Sequence, residues 1–335
     1  MSHKIVWLVL PAIFLLISTP RPVRSADALD VLDRARGCVV KIFGAGGFRG
    51  LEPYQSGVTI TAEGHILTVW SHVLNTDFVT VVLDDGRRFD AEVVAADPRH
   101  EIALLTVDAS DLPHFDLKNA TEAPVGTPIF ALSNLFGIAS GDEPVSVQSG
   151  NVAARSSLGR RLGVYETPYQ GDVYLLDVVT SNPGSAGGAV IDHAGRFVGM
   201  IGKEMQDARD DTWLNFAQPA DELASAVPAL LGVETESDTS KTTNVNQPVT
   251  LSAWGLVLVP DVVANTPAYI DSVGENSAAR AAGLRPDDLI VLVDGQVVTS
   301  CRRLREALEA IDRSATVQLT VQRGSELLEV PLRAP

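Results

Sequence analysis

Residues 181–188 read Ser181-Asn182-Pro183-Gly184-Ser185-Ala186-Gly187-Gly188, and they decide how the rest of the chain is interpreted. Two strand-like runs follow, residues 189–191 and 196–201, with a turn-forming segment between them. Similar short runs fill residues 38–226, and Asp84-Asp85-Gly86 is typical of a hairpin turn. This pattern favours a mostly β fold, either a barrel or a sandwich, and does not choose between them.

Three segments resemble the catalytic segments of trypsin-like serine proteases of the HtrA/DegP branch. The first is residues 181–188, where that family reads Asn-Pro-Gly-Asn-Ser-Gly-Gly. The second, Gly64-His65-Ile66-Leu67-Thr68-Val69-Trp70-Ser71-His72-Val73, is similar to the family's strand and histidine segment. The third, Asp97-Pro98-Arg99-His100-Glu101-Ile102-Ala103-Leu104-Leu105, matches Asp-Pro-x-x-Asp-Ile-Ala-Leu-Leu. The resemblance implies a trypsin-like double β-barrel.

A working protease of this type needs a serine nucleophile, a histidine that takes its proton and a carboxylate that orients the histidine. The resemblance implies that His72 stands at the base position, Glu101 at the acid position and Ala186 at the nucleophile position. It also implies an oxyanion hole built from the N–H groups of Gly184 and Ala186. Because alanine has no hydroxyl, we expect a loss on the order of 10⁶ in turnover, as in another serine protease stripped of its nucleophile.

Two further departures from the family pattern affect the triad. Glu101 is one methylene longer than the aspartate that it replaces, so it reaches His72 only if the ring or the backbone moves. The spacing from Gly64 to His72 is one residue longer than usual, which predicts either a β-bulge or a shifted histidine. An active enzyme would have to use Ser185 as a displaced nucleophile, or Ala186 would have to be an error in the sequence.

The last 87 residues, 249–335, resemble a bacterial PDZ domain of the HtrA type, a β-rich α+β fold. The resemblance is carried by Ser277-Ala278-Ala279, Ala282-Gly283-Leu284 and Asp287-Asp288-Leu289-Ile290. It implies that Trp254, Gly255, Leu256 and Val257 form a loop that receives a chain terminus, next to a strand edge that pairs with the ligand. An inert β-rich appendage is the alternative.

Between the two units, residues 232–248 are polar and predict a flexible linker, so the protease-like unit spans residues 26–231. Apolar residues at helical spacing predict a short helix over residues 221–231 that closes this unit and breaks at Pro228. In the PDZ-like unit, Ser300 is expected to cap a helix that carries Leu304 and Leu308 on one face.

Residues 1–25 have the pattern of a secretory signal peptide: Lys4, an apolar run over residues 5–17, and a small-residue cleavage site. The apolar run is shorter than the roughly 20 residues that span a bilayer, although an uncleaved anchor is the alternative. We therefore expect a periplasmic or otherwise extracytoplasmic protein with no membrane span after removal of the signal.

The composition, 45% hydrophobic and 20% charged, is that of an ordinary globular protein. Cleavage after residue 25 would take the net charge from −16 to −19, which argues against nucleic acid as a partner. Cys38 and Cys301 lie in different predicted domains and are expected to be unpaired. The sequence contains no pattern that indicates a metal or a cofactor.

These observations predict an HtrA-like pseudoprotease that binds polypeptide segments or unfolded proteins through its PDZ domain and its vestigial cleft. An active HtrA relative is a further expected partner, and the oligomeric state, including a homo-oligomer, stays open. The rival interpretations are an active serine endopeptidase that uses Ser185 with His72 and Glu101, and a protein in which only the PDZ domain functions.

Overall fold

In the computed structural model, the described residues are 25–44, 51–74, 76, 78–120, 122–158, 169, 171–206, 212–231, 247–261, 266–324 and 326–333. The predicted signal peptide, apart from Ser25, and most of the predicted linker lie outside them. Within the described residues, no helix combines the length and the hydropathy needed to cross a membrane.

Six antiparallel strands form the first closed barrel, in the order β1-β2-β3-β6-β5-β4. They are β1 (Val39–Phe43), β2 (Tyr54–Thr59), β3 (His65–Val69), β4 (Val79–Val82), β5 (Arg88–Asp97) and β6 (Ile102–Val107). The predicted hairpin turn at residues 84–86 connects β4 to β5, and Leu83 N–H donates to Arg87 C=O at 2.9 Å across it. Apolar side chains such as Val40, Ile66 and Leu105 fill the interior.

A second closed barrel follows, in the order β10-β11-β12-β9-β8-β7. Its strands are β7 (Pro128–Ser133), β8 (Ser146–Ser157), β9 (Asp172–Leu176), β10 (Ala189–Asp192), β11 (Phe197–Ile201) and β12 (Phe216–Pro219). The prediction of a mostly β fold with two barrels is therefore confirmed. Residues 181–188 connect β9 to β10, so the segment that the sequence singles out lies at one end of this barrel.

Two helices flank the barrels, α1 (Ser25–Arg36) and α2 (Ala220–Leu230). Leu223 and Val227 of α2 pack into an apolar cluster shared with both barrels. The expected break at Pro228 is wrong, because α2 continues to Leu230 with Pro228 inside it. A proline in the last turn removes only the N–H that would bond to Ala224 C=O, while Leu231 N–H still donates to Val227 C=O at 2.9 Å.

The C-terminal unit contains a two-stranded sheet and a four-stranded sheet. Its elements are α3 (Leu251–Trp254), β13 (Leu256–Leu258), β14 (Ile270–Val273), α4 (Ala278–Ala281), β15 (Leu289–Val293), β16 (Gln296–Val297), α5 (Cys301–Glu309), β17 (Thr316–Arg323) and β18 (Glu326–Arg333). The cap is confirmed, since the Ser300 side chain accepts a hydrogen bond from Arg303 N–H. Leu304 and Leu308 of α5 are buried in the core.

Gln247 and Pro248, the last two residues of the predicted linker, contact this C-terminal unit. Gln247 C=O accepts from Arg313 N–H at 2.7 Å, and Pro248 forms a β-bridge with Asp312. The ordered part of the unit therefore begins at least two residues earlier than the predicted boundary.

Both cysteines are buried and unpaired, as expected. Cys38 belongs to the core of the barrels and Cys301 to the core of the C-terminal unit. Burial raises the pKa of the Cys38 thiol to about 12, and it also raises the pKa of Cys301.

Candidate functional site

Backbone hydrogen bonds hold the loop of residues 181–188 in a sharply turned conformation. Ser185 N–H donates to Asn182 C=O at 3.1 Å, and Phe136 N–H donates to Pro183 C=O at 2.7 Å. The Ser56 hydroxyl donates to Gly184 C=O at 2.7 Å, which ties the loop to the first barrel. The loop is therefore positioned by contacts with both barrels.

Two positions in this loop require glycine. Gly184 has φ +85° and Gly187 has φ +84°, a region that side chains disfavour. A Cβ atom at Gly184 would lie 2.1 Å from Asn134 C=O, and one at Gly187 would lie 2.1 Å from Ser56 C=O. At both positions a side chain would clash with a backbone carbonyl and would have to adopt an unfavourable φ, so only glycine fits.

The loop leaves two amide groups available for a ligand. Neither the N–H of Gly184 nor that of Ala186 donates to an acceptor within the described residues, whereas the N–H groups of Ser185, Gly187 and Gly188 are all bonded. Gly184 and Ala186 both line a cavity of about 260 Å³. Two free amides at a cavity wall can hold a carbonyl oxygen, which is what an oxyanion hole does.

The side chains at the two candidate nucleophile positions differ in accessibility. Ala186 is half-buried at the cavity wall and presents only a methyl group. Ser185 is 1% exposed and is not part of the cavity wall, and its Oγ has no hydrogen-bond partner among the residues that the structure describes. A serine that is buried behind the cleft is poorly placed to attack a bound peptide.

His72 begins a 3₁₀ turn, His72–Leu74, just after β3. The register of β3 against β6 is regular up to the pair Val69 and Ile102, so the additional residue does not form a bulge in this strand. The extra length lies in Trp70 and Ser71, between the strand and the turn. Of the two expectations for this spacing, a bulge within β3 is wrong, and a shifted histidine stays a prediction.

The imidazole of His72 lines the cavity, and its Nε2 lies 3.0 Å from the backbone C=O of Glu52. A carbonyl oxygen only accepts, so in the neutral ring this contact places the proton on Nε2 and the lone pair on Nδ1. A working triad has the opposite tautomer, because Nε2 must take the proton from the serine. This contact therefore places His72 in the wrong state for a general base.

Glu101 follows a tight turn and has φ +54°. Its side chain is 10% exposed, and Oε1 accepts a hydrogen bond from Lys203 Nζ at 2.9 Å. His72 and Glu101 both lie in the described part of the chain, and no hydrogen bond joins them there. The carboxylate at the acid position is therefore engaged by a lysine and does not orient the histidine.

Lys203 is a residue of the site that the sequence analysis missed. It follows β11 by two residues and lines the cavity together with His72 and Ala186. No local pattern marks a lysine at the end of a strand as the partner of a carboxylate 102 positions earlier. Only the closure of the two barrels brings the two segments together.

The wall of the cavity contains two acidic residues besides Lys203 and His72. Glu52 and Glu204 line it, and burial together with the nearby Glu52 raises the pKa of Glu204 above its usual value. Burial also raises the pKa of Tyr54, which forms another part of the wall. No group of His, Cys, Asp and Glu that could hold a metal ion occurs within the described ranges. The cleft therefore combines two free amide donors, two carboxylates and the side chains of His72 and Lys203.

The second candidate site is the segment Trp254, Gly255, Leu256 and Val257. Gly255 ends α3 with φ +73°, which lets the chain turn directly into β13. The Trp254 and Leu256 side chains belong to the domain core, whereas Val257 is 55% exposed. The structure therefore leaves the backbone and Val257, rather than the Trp254 ring, available to a ligand.

The strand after this turn offers an edge for pairing. Within the described residues, β13 pairs only with β14, so its other edge has no neighbouring strand. An unpaired edge of this kind can accept an extended peptide through main-chain hydrogen bonds. The predicted loop over residues 254–257 is wrong in extent, because Trp254 ends α3 and both Leu256 and Val257 already belong to β13, so only Gly255 forms the turn. Binding of a chain terminus there stays a prediction.

Comparison with known proteins gives a consistent result for both units. The trypsin-like peptidase domain family matches residues 55–200, and the PDZ domain family matches residues 229–333. A probable periplasmic serine protease do/HhoA-like from Haemophilus influenzae is 28% identical over 303 residues, which are 85% of this chain and 58% of that protein. The periplasmic serine endoprotease DegP of Salmonella typhimurium is 26% identical, over 83% of this chain and 56% of that protein. The chain thus spans little more than half the length of these two relatives.

Among solved structures, the HtrA-type protease AlgW with a tripeptide superposes with a TM-score of 0.50 and 22% identity. The match covers 91% of this chain and 96% of that chain. At this identity the likeness concerns the fold alone, and it supports the same arrangement of a double barrel followed by a PDZ domain.

Proposed function

The chain belongs to the HtrA-like family of trypsin-like serine proteases with a PDZ domain, and from this premise we propose that it is a catalytically inactive member that binds polypeptide segments. The observation that carries the proposal is a nucleophile loop whose backbone is fully formed around an alanine. Gly184 and Ala186 keep free amides at the cleft, but nothing at position 186 can attack a bound carbonyl.

The rest of the triad supports the same proposal. Glu101 is bonded to Lys203, and the contact with Glu52 C=O favours the unproductive tautomer of His72. The site therefore lacks a nucleophile, an oriented base and an available acid. Because Ala186, Glu101 and His72 each depart from a working triad in a different way, an error in the sequence at Ala186 alone does not explain the site.

The alternative of an active endopeptidase depends on Ser185. Its hydroxyl is buried and lies outside the cleft wall, so it would need a rearrangement of the whole loop to reach His72. That rearrangement would also move the amides of Gly184 and Ala186, which a protease needs for its oxyanion.

Two surfaces would bind polypeptides under this proposal. The cleft would hold an extended segment with one carbonyl at the two amides, without cutting it. The PDZ domain would take a chain terminus along the open edge of β13, next to Gly255. Because the relatives named above are periplasmic proteins, we place this activity in an extracytoplasmic compartment.

The test is cleavage of reduced, carboxymethylated α-lactalbumin by the purified chain, alongside Ser185→Ala and Ala186→Ser variants. The proposal expects no cleavage by the unmodified chain. Cleavage that disappears in Ser185→Ala would overturn it and establish a displaced nucleophile.

A truncated chain that ends at residue 248 tests which surface binds. Retained binding of unfolded α-lactalbumin by this truncation would show that the barrels contribute a site of their own. Complete loss, with the barrels still folded by circular dichroism, would leave the PDZ domain as the only binding surface.

A further inference from the structure

A second cavity adjoins the cleft beside His72. Ser71, His72 and Lys203 line the first cavity on one side and a second cavity of about 220 Å³ on the other. The two cavities are neighbours, because they share these three wall residues. A chain that lies over the amides of Gly184 and Ala186 and continues past His72 therefore arrives at the second cavity.

The second cavity has walls from two domains. The barrel side contributes Trp70, in addition to the three shared residues. The PDZ side contributes Pro267, Leu289, Val291, Val298, Thr299 and Gln322. These residues belong to the sheet formed by β15 and β17 and to segments beside it, not to the open edge of β13. This surface is distinct from the predicted terminus-binding loop.

Contacts elsewhere hold the PDZ domain against the first barrel. Val297 of β16 packs against the core of that barrel, next to Ala91 and Val93 of β5. Arg99 and Glu329 form an ion pair across the same boundary. The contacts that hold the two domains together therefore lie outside the second cavity and do not fill it.

The wall of the second cavity combines apolar and polar side chains, and its apolar part offers a contact for a hydrocarbon group. Its apolar wall residues are Trp70, Pro267, Leu289, Val291 and Val298, and its polar groups come from Thr299, Gln322 and the three shared residues. The volume corresponds to about seven water molecules in the liquid. Replacing water in such a space with a hydrocarbon side chain is favourable, because apolar surface leaves water on both partners.

We infer that the cleft and the interdomain cavity form one composite site for an extended polypeptide. One carbonyl of the segment lies at the amides of Gly184 and Ala186, and an apolar side chain farther along inserts between Trp70 and the β15 face of the PDZ domain. The inference rests on the proposed function, since it needs a cleft that binds without cutting. It adds the class of ligand, which is a segment with an aliphatic side chain. It also assigns one wall of the interdomain cavity, where that side chain binds, to the PDZ domain.

The probes are C-terminally amidated decapeptides in a Ser/Thr background that differ only in the central residue, Ala, Leu or Asp. The amide excludes the terminus-binding loop of the PDZ domain. Full-length chain should bind the Leu peptide about tenfold more tightly than the Ala peptide, since a few buried methylene groups give an effect of that size. The Asp peptide should bind no better than the Ala peptide.

Gln322→Trp fills the cavity from the PDZ side, and Gln318→Trp is its matched control. Both residues lie on β17, four positions apart and on the same face of the strand, but only Gln322 lines the cavity. The inference expects Gln322→Trp to remove the preference for Leu while the Ala peptide binds as before. Gln318→Trp should retain the preference.

Two results would overturn the composite site: a Leu preference that survives Gln322→Trp, or an equal loss in both variants. Failure of the proposed function has a different signature, because then either none of the amidated peptides binds or the chain cleaves them. Melting temperatures of both variants show that neither result comes from unfolding.

Discussion

The two halves of the candidate active site differ in what they are made of. The nucleophile loop is built from backbone, and its conformation depends on glycines and main-chain hydrogen bonds that this chain keeps. The acid and base half is built from side chains, and here each has a different partner: Glu101 binds Lys203, and His72 contacts Glu52 C=O. An arrangement of backbone amides is retained as long as the loop folds, whereas an arrangement of acid and base side chains is lost through a few substitutions.

The largest expected effect concerns the side-chain half. Ala186→Ser alone should give only trace hydrolysis of unfolded α-lactalbumin, because in a working triad a base in the wrong tautomer costs about 10⁴ in rate. Adding Glu101→Asp and Lys203→Asn in the same chain removes the competing ion pair and restores the shorter acid. We expect this combination to label with a fluorophosphonate at least about 10²-fold faster than Ala186→Ser alone.

Labelling of Ala186→Ser alone that is already as fast as that of an active serine protease, and no faster in the combined variant, would mean that Ala186 is the only defect. The distinction between the backbone half and the side-chain half would then be wrong, because the partner of Glu101 would have no effect on the labelling rate. Chain with Ala186 intact and both other substitutions is the control for labelling elsewhere.

The next effect concerns the backbone half. Gly187→Ala should lower the free energy of unfolding by about 3 kcal/mol or more, since it adds dihedral strain and a Cβ that would lie 2.1 Å from Ser56 C=O. Gly126→Ala is the control, with φ +89° and no atom within 4 Å of the added Cβ. It should cost only about 1 kcal/mol, and urea unfolding measures both.

A similar cost for the two glycine variants would show that the close approach to Ser56 contributes nothing. The loop would then be tolerant of side chains, and its retained shape would need another explanation.

A smaller effect is expected from the ion pair itself. Lys203→Gln removes the ammonium that lies 2.9 Å from the buried carboxylate of Glu101 and should destabilise the barrels by about 1–2 kcal/mol. The double variant Glu101→Gln/Lys203→Gln should recover most of this loss, because the buried charge that Lys203 stabilises is then absent as well. Additive costs in this double-mutant cycle would contradict a coupled pair.

The smallest effect concerns the turn that carries Glu101. The Asp97 carboxylate accepts from His100 Nδ1 at 2.6 Å, and this hydrogen bond raises the pKa of His100 despite the opposing effect of burial. A raised pKa stabilises the fold below the unfolded value of about 6.5, and this stabilisation is lost as the pH rises through the folded pKa. Since both side chains are partly exposed, the change should stay below about 1 kcal/mol.

His100→Gln should flatten the dependence of stability on pH above about 6.5, as measured by urea unfolding at a series of pH values. An unchanged slope in this variant would assign the dependence to other groups. His193→Gln is the control, because no carboxylate contacts that histidine in the described part of the chain.

Local signals in the sequence predicted individual elements correctly, whereas the choice of two barrels over a sandwich came from the family resemblance. A turn at residues 84–86, a cap at Ser300 and a helical face with Leu304 and Leu308 each involve neighbours in the chain. The break expected at Pro228 was wrong because the cost of a proline depends on its position within the helix, and here it falls in the last turn.

The site was predictable only in part, for a physical reason. His72, Glu101 and Ala186 stand in segments with recognisable patterns, but their partners are set by the packing of distant strands. Lys203 reaches Glu101 across 102 positions, and Gln322 lines the interdomain cavity only because the PDZ domain docks on the first barrel. Neither contact can be predicted from a periodicity or a spacing along the chain.

The two buried cysteines have a practical consequence. Cys38 and Cys301 lie in separate cores, so a disulfide between them cannot form while both domains are folded. Oxidising and reducing surroundings should therefore leave the folded chain unchanged. Their raised pKa values also leave them largely as unreactive thiols. The natural chain can thus receive a single new surface cysteine, and a fluorophore attached there would report domain movement without removal of the native thiols.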